Sequence, residues 1–144
     1  MALNASQLIQ HFLQTIGRDI RLYQQLLELL KHQRVLYVTF DAEALKRNIA
    51  DQQPLISELA ASAKERHDCL NKLGVGGSRL GVTRLMNALP PALGQQAKNQ
   101  WETLQRLVEH CQHYNNENGQ TTATFHEMIA SVIEPASDTY QERL

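Results

Sequence analysis

Apolar residues recur along this chain at alternating steps of four and three, in three long stretches. In the first, from about Ser6 to Val38, the stripe is Ile9, Leu13, Ile16, Ile20, Tyr23, Leu27 and Leu30. That alternation is the a/d seam of a helix facing a partner helix. Leu8, Phe12, Leu22, Leu26 and Leu29 widen the apolar face. A face that wide suits a bundle better than a two-stranded coil. Ser6 is a candidate N-cap. Val35 to Phe40 has strand composition but no partner strand elsewhere, so it reads as the end of this helix or a bend. Asp41 can then cap the second stretch, about Ala42 to Leu73. Its seam runs Leu45, Ile49, Gln52, Ile56, Leu59, Ala63, Arg66, Leu70 and Leu73, with polar groups at Gln52 and Arg66. Pro54 removes a backbone donor inside this pattern and predicts a kink. Gly74 suits the position after the helix end.

Four of the seven glycines, Gly74, Gly76, Gly77 and Gly81, form a loop. No strand precedes it and no Gly-Lys-Ser/Thr ending follows, so it reads as a helix connection and not a phosphate cradle. Val82 to Leu89 can make two helical turns, stopped by Pro90-Pro91. The third long stretch, Pro91 to Ile133, keeps its seam through Ala97, Trp101, Leu104, Val108, Cys111, Asn115, Asn118, Thr122, Phe125, Ile129 and Val132. Its middle is polar, and Gly119 weakens the helix there by ~1 kcal/mol relative to alanine. Asn115 and Asn118 either bond across the bundle or face something else.

The pattern predicts an all-α protein: an elongated antiparallel helical bundle, or coiled coil, of three long helices plus one short. The helices are expected over about 6–38, 42–73, 82–89 and 91–133, in one unit spanning 1–135, with 136–144 a short polar tail. The last helix is the longest, so its C-terminal half is expected to overhang the others. That would leave Phe125, Met128, Ile129, Val132 and Ile133 uncovered, and an uncovered apolar stripe is a partner site. From spacing alone, bundle core is the better reading of these same positions.

Charge narrows the function. With 14 basic and 15 acidic residues there is no electrostatic footprint for nucleic acid. Fifteen Gln and eight Asn, by count along the chain, fill much of the polar surface. No apolar run approaches the ~20 residues of a membrane helix, and the first residues do not form a signal peptide. Two cysteines, Cys69 and Cys111, make no disulfide framework, so a reducing cytoplasm is the expected location. His110 and His113 sit three apart beside Cys111, a spacing that can place two metal ligands on one helix face. No matching Cys/His pair occurs elsewhere and Cys111 falls on the seam, so ordinary solvated histidines are the better reading. Glu43–Arg47 and Glu102–Arg106 are surface pairs at helical spacing. No catalytic constellation emerges, and neither an enzyme nor a cofactor or metal is expected.

Several linked segments carry a resemblance. They are Leu26-Leu27-Glu28-Leu29-Leu30 leading to Asp41-Ala-Glu-Ala-Leu45, and Glu65-Arg66 before Leu70-Asn-Lys-Leu-Gly-Val75. Leu89-Pro90 with Trp101 and Leu104 follows, then Cys111-Gln-His-Tyr-Asn115-Asn-Glu-Asn118-Gly119, then Thr139-Tyr140. In this order and spacing they resemble the flagellar type III export chaperones of the FlgN class. The resemblance implies a non-enzymatic cytoplasmic protein that holds hook-associated proteins by their amphipathic C-terminal helices. It further implies that the protein prevents their premature assembly and delivers them to the export gate. It places client contact on the last helix, at Phe125, Met128, Ile129, Val132 and Ile133, and contact with the gate's cytoplasmic domain at Tyr140. The glycine that follows this tyrosine in the family is absent here. Without the resemblance, a self-associating bundle with no client is the competing reading, with a homodimer covering the same stripe.

Overall fold

The computed structural model describes residues 3–119 and 123–133. Every regular element among them is an α-helix: α1 (Ala5–Val38), α2 (Ala42–Lys72), α3 (Arg79–Ala88), α4 (Pro91–Asn118) and α5 (Ala123–Ala130). At 1.5 Å per residue the long helices run ~42–51 Å, so the bundle is elongated. No helix among the described residues is long and apolar enough to cross a membrane.

The helix ends have local causes. Asn4, not Ser6, caps α1. Its side chain accepts from the Gln7 N–H at 2.8 Å, and the Gln7 side chain accepts from the Asn4 N–H at 3.0 Å. This reciprocal box satisfies two donors that the first turn leaves open. Asp41 caps α2 by accepting from the Ala44 N–H. Past α2, Gly74 takes φ 78, and the Val75 N–H reaches back to the Leu70 carbonyl at 3.2 Å. The turn after α1 uses the same bonding, with the Asp41 N–H to the Leu36 carbonyl at 3.3 Å. There, however, Phe40 holds the left-handed position, at φ 55 and 92 % exposed. A side chain in that conformation costs about 1 kcal/mol that glycine would not. Gly81 is needed for a different reason. A Cβ there would lie 1.8 Å from the Gly76 carbonyl oxygen, because the glycine loop presses on the first turn of α3. Pro54 lies within α2, which continues through it.

α1 is the axis. α2 packs along it antiparallel and α4 along it parallel, whereas the backbones of α2 and α4 stay apart and meet through side chains such as Arg66 and Trp101. α3 folds over the start of α4 and the end of α2. Because α1 has a partner on each side, its buried face is centred between them, on Leu8, Phe12, Thr15, Asp19, Tyr23, Leu26, Leu30 and Gln33. Ile9, Leu13 and Ile20, expected at the centre, are partly buried flanks. α4 has one main partner, and its buried line (Ala97, Trp101, Leu104, Val108, Cys111, Asn115, Asn118) follows the sequence seam.

The single helix expected over 91–133 is two helices. Gly119 adopts φ 72, ψ 20, and its N–H closes on the carbonyls of Asn115 and Asn116. The chain turns there, and α5 lies against α2 and α4. The overhang does not form.

Two polar layers cross the core. In the first, Arg66 donates to Asp19 and to Ser62 Oγ, and stands 5.8 Å from the Trp101 ring. Arg18 bonds Ser62 and Glu65 above it. Burial pushes the Asp19 carboxyl up from its ordinary value, against the downward pull of the Arg66 guanidinium. In the second layer, Gln52 donates to Gln33 and Asn48, both at 2.8 Å. Asn118 donates to the Leu30 carbonyl at 3.1 Å and to Gln33 at 3.2 Å. Asn118 thus bonds across the bundle, as buried polar groups must. Removing one partner of the ion pair strands the other charge. Asp19→Ala is expected to cost about 3–5 kcal/mol in urea unfolding, whereas the double variant Asp19→Leu/Arg66→Met recovers most of that loss. Equal losses in single and double variants would contradict this account.

Candidate partner-binding site

Helices α2 and α4 both lean on α1 and leave a groove between them on the opposite side. On the α2 side, Ala60, Ala63, Lys64 and His67 stand beside α5. α5 fills that space. Its sequence, Ala-Thr-Phe-His-Glu-Met-Ile-Ala, sets Phe125, Met128 and Ile129 on one face, and Val132 and Ile133 extend the stripe one turn on. The last turn is closed by the Ser131 hydroxyl on the Met128 carbonyl at 2.6 Å and by the Ile133 N–H on the Ile129 carbonyl at 2.9 Å.

All five stripe residues are buried. Relative exposure is 1 % for Phe125, 1 % for Met128, 4 % for Ile129, 0 % for Val132 and 8 % for Ile133. The expectation of an uncovered stripe is therefore corrected. The physical reason is the reversal at Gly119, which returns the stripe to the groove of its own bundle. Tyr140, the remaining expected contact, lies outside the described residues. An eight-residue helix is too short to be stable alone in water, so α5 is helical because it is docked.

The rim of the site is polar and open. Lys64 and His67 of α2 line a surface groove with Glu127 and Met128 of α5. At its far end Ser131 meets Arg66, Trp101 and the glycine loop. α5 thus spans from the turn at Gly119 back to the buried ion pair, running antiparallel to α4. His113 faces solvent and pairs with Glu117 at 3.2 Å. Cys111 points inward, its Sγ 3.7 Å from the Tyr23 carbonyl, and burial pushes its thiol up to about 12. Cys111 and His113 therefore do not converge, and no group of three or more potential metal ligands occurs among the described residues.

A second apolar surface was not singled out from the sequence. Val35, Val38 and Phe40 are 54 %, 70 % and 92 % exposed at the α1–α2 tip. The signal was the strand-like composition of Val35 to Phe40, which a buried helix end would not require.

The sequence profile of the FlgN protein family matches residues 1–136. The chain belongs to the FlgN family. The match takes in all five helices, and the family is one of flagellar chaperones. A solved structure from Pseudomonas aeruginosa, described as a flagella synthesis protein of this type, has the same fold. It superposes with a TM-score of 0.73 at 23 % identity, over 92 % of this chain and 100 % of the other. No curated protein matches the chain.

If α5 is a separable unit of this FlgN-family fold, damage to it is capped by its own docking energy. Phe12→Ala, in the α1 core, is expected to cost about 3–5 kcal/mol in global unfolding followed by Trp101 fluorescence. Phe125→Ala is expected to cost less than half as much, because the α1–α2–α4 bundle survives release of α5. Equal costs would show that α5 unfolds only with the whole.

Proposed function

We propose that this chain is a cytoplasmic, non-enzymatic export chaperone for flagellar hook-associated proteins. It binds their amphipathic C-terminal helices, prevents premature assembly and delivers them to the export gate. The client helix is taken by the α2/α4 groove together with the apolar face of α5, at Phe125, Met128, Ile129, Val132 and Ile133. Tyr140 then contacts the gate's cytoplasmic domain.

The observation that carries this reading is the occupant of the groove. Membership of the FlgN family supports a flagellar chaperone. The groove between α2 and α4 already holds a short amphipathic helix presenting large apolar side chains. A groove shaped for one such helix fits another, which is the helix-in-groove mode of recognition. The segment that would move is short, begins four residues beyond the glycine that caps α4, and depends on docking for its own structure. Opening of α5 bares its apolar face and the groove beside α2 together, and the client helix covers both.

The test is a calorimetric titration of the purified chain with a peptide from the C-terminal helix of a hook-associated protein. Saturable 1:1 binding with a negative heat-capacity change is expected from apolar burial. Ile129→Asp is expected to weaken it at least tenfold while far-UV circular dichroism stays near that of the parent. Absence of any saturable complex, with the peptide's helicity verified, would contradict the chaperone reading and favour a self-associating bundle.

A further inference from the structure

The charges of this chain are unevenly placed. All 15 acidic residues lie outside residues 69–101, whereas Lys72, Arg79, Arg84 and Lys98 lie within that stretch. The fold gathers the stretch at one end of the bundle, because α3 lies over the end of α2 and the start of α4. A chain with a formal net charge of -1 thus carries a local excess of cations at its α3 end.

That end also holds a groove of about 250 Å³ between α3 and α4. Val82, Met86 and Trp101 give it an apolar floor, each no more than 8 % exposed. Arg79, Lys98 and Glu102 complete the lining. Two glycines hold α3 close enough to keep the groove formed. A Cβ on Gly81 would lie 1.8 Å from the Gly76 carbonyl oxygen, and one on Gly94 would lie 2.9 Å from the Met86 carbonyl oxygen. Arg84 adds a tie, donating to the Val75 carbonyl at 3.1 Å. The groove is smaller than the ~300–1,000 Å³ of clefts that enclose a small-molecule ligand, so it suits one large side chain and not a helix.

Charge and shape together select the occupant. A nucleic-acid backbone would use the cations but has no apolar side chain for the floor. A bilayer would need a broader apolar area than the exposed Leu80 and Leu93 of these two helices. An acidic peptide segment with one apolar anchor uses both features. We propose that the α3–α4 groove binds an acidic segment of a partner protein, seating one large apolar side chain on Val82, Met86 and Trp101 with carboxylates beside Arg79 and Lys98. Lys72 and Arg84 extend the attractive field around the groove and steer the approach of the segment. The inference does not depend on the client groove at α5.

Trp101 is the only tryptophan of the chain and lines the groove, so its fluorescence reports occupancy. The probe is the capped, tryptophan-free peptide Glu-Asp-Phe-Leu-Glu-Asp, titrated into the full chain. A saturable change in Trp101 emission is expected, weakening as salt rises from about 0.05 to 0.5 M because exposed charges are screened. Replacing the peptide's Phe-Leu by Gly-Ser, or its acids by amides, is expected to remove binding. Lys98 is exposed, so Lys98→Glu should leave the melting temperature unchanged while weakening binding by about tenfold or more, and Lys98→Arg should retain it. No saturable signal, or affinity indifferent to Lys98→Glu, would overturn the proposal. So would equal binding of the Gly-Ser peptide or of an oligothymidylate, which would mark a simple polyanion site. A Trp101 change that follows protein concentration alone would assign the groove to a second copy, and binding only by a chain ended after Pro135 would assign it to the chain's own acidic end. Either result would overturn the partner reading.

Discussion

A bundle in which two helices lean on a third, with their own backbones apart, has an open side that something apolar must cover. Here α1 is the shared support, and the uncovered line runs between α2 and α4. Without α5, the core there would meet water at the cost of roughly 25 cal/mol for each Å² of apolar surface. The cover is eight helical residues held by their docking and joined to α4 through a glycine turn. The open side is closed by the shortest helix among the described residues, which is what makes it a candidate for binding other helices.

The polar layers explain why the rest of the bundle can tolerate such a cover. Arg66 with Asp19 near one end, and Gln33, Gln52, Asn48 and Asn118 near the other, tie α1 to α2 and α1 to α4 at fixed positions along the axis. Sliding either helix by one turn would strand several buried polar groups, each costing about 1–3 kcal/mol. Register is therefore held by contacts that do not involve α5. Ser131, just past α5, reaches the surroundings of Arg66 and Trp101, so the cover ends where the first polar layer begins.

Much of this was legible in the sequence. The seam of α4 predicted its buried line from Ala97 to Asn118, missing only the buried Gly94, and Gln52, Arg66 and Asn118 stood out as polar groups on apolar stripes that needed partners. The centre of the α1 face was displaced because a helix buried on two sides averages two stripes, and a single-stripe reading of Ile9, Leu13 and Ile20 cannot see the second partner. The break at Gly119 was missed for a deeper reason. A stripe of Phe125, Ile129 and Val132 in phase with α4 buries the same residues whether the helix continues or reverses, so periodicity cannot separate the two. The local cues were Gly119 itself and the polar run of Asn115, Asn118 and Thr122. The exposed Phe40 at a position that suits glycine was also invisible to pattern reading, because apolar residues at a helix end look like core until the backbone is known.

The account turns on α5 being an independently opening unit over an otherwise stable bundle. Hydrogen exchange of the free chain, followed by mass spectrometry with peptides that resolve α5 from α1, α2 and α4, tests that most directly. Peptides covering 123–133 should exchange at least a hundredfold faster than those from the middle of α1 and α4, with no matching loss of protection at Leu26 or Val108. Exchange of α5 at the same rate as the bundle centre would mean that it opens only on global unfolding, and would contradict the client groove.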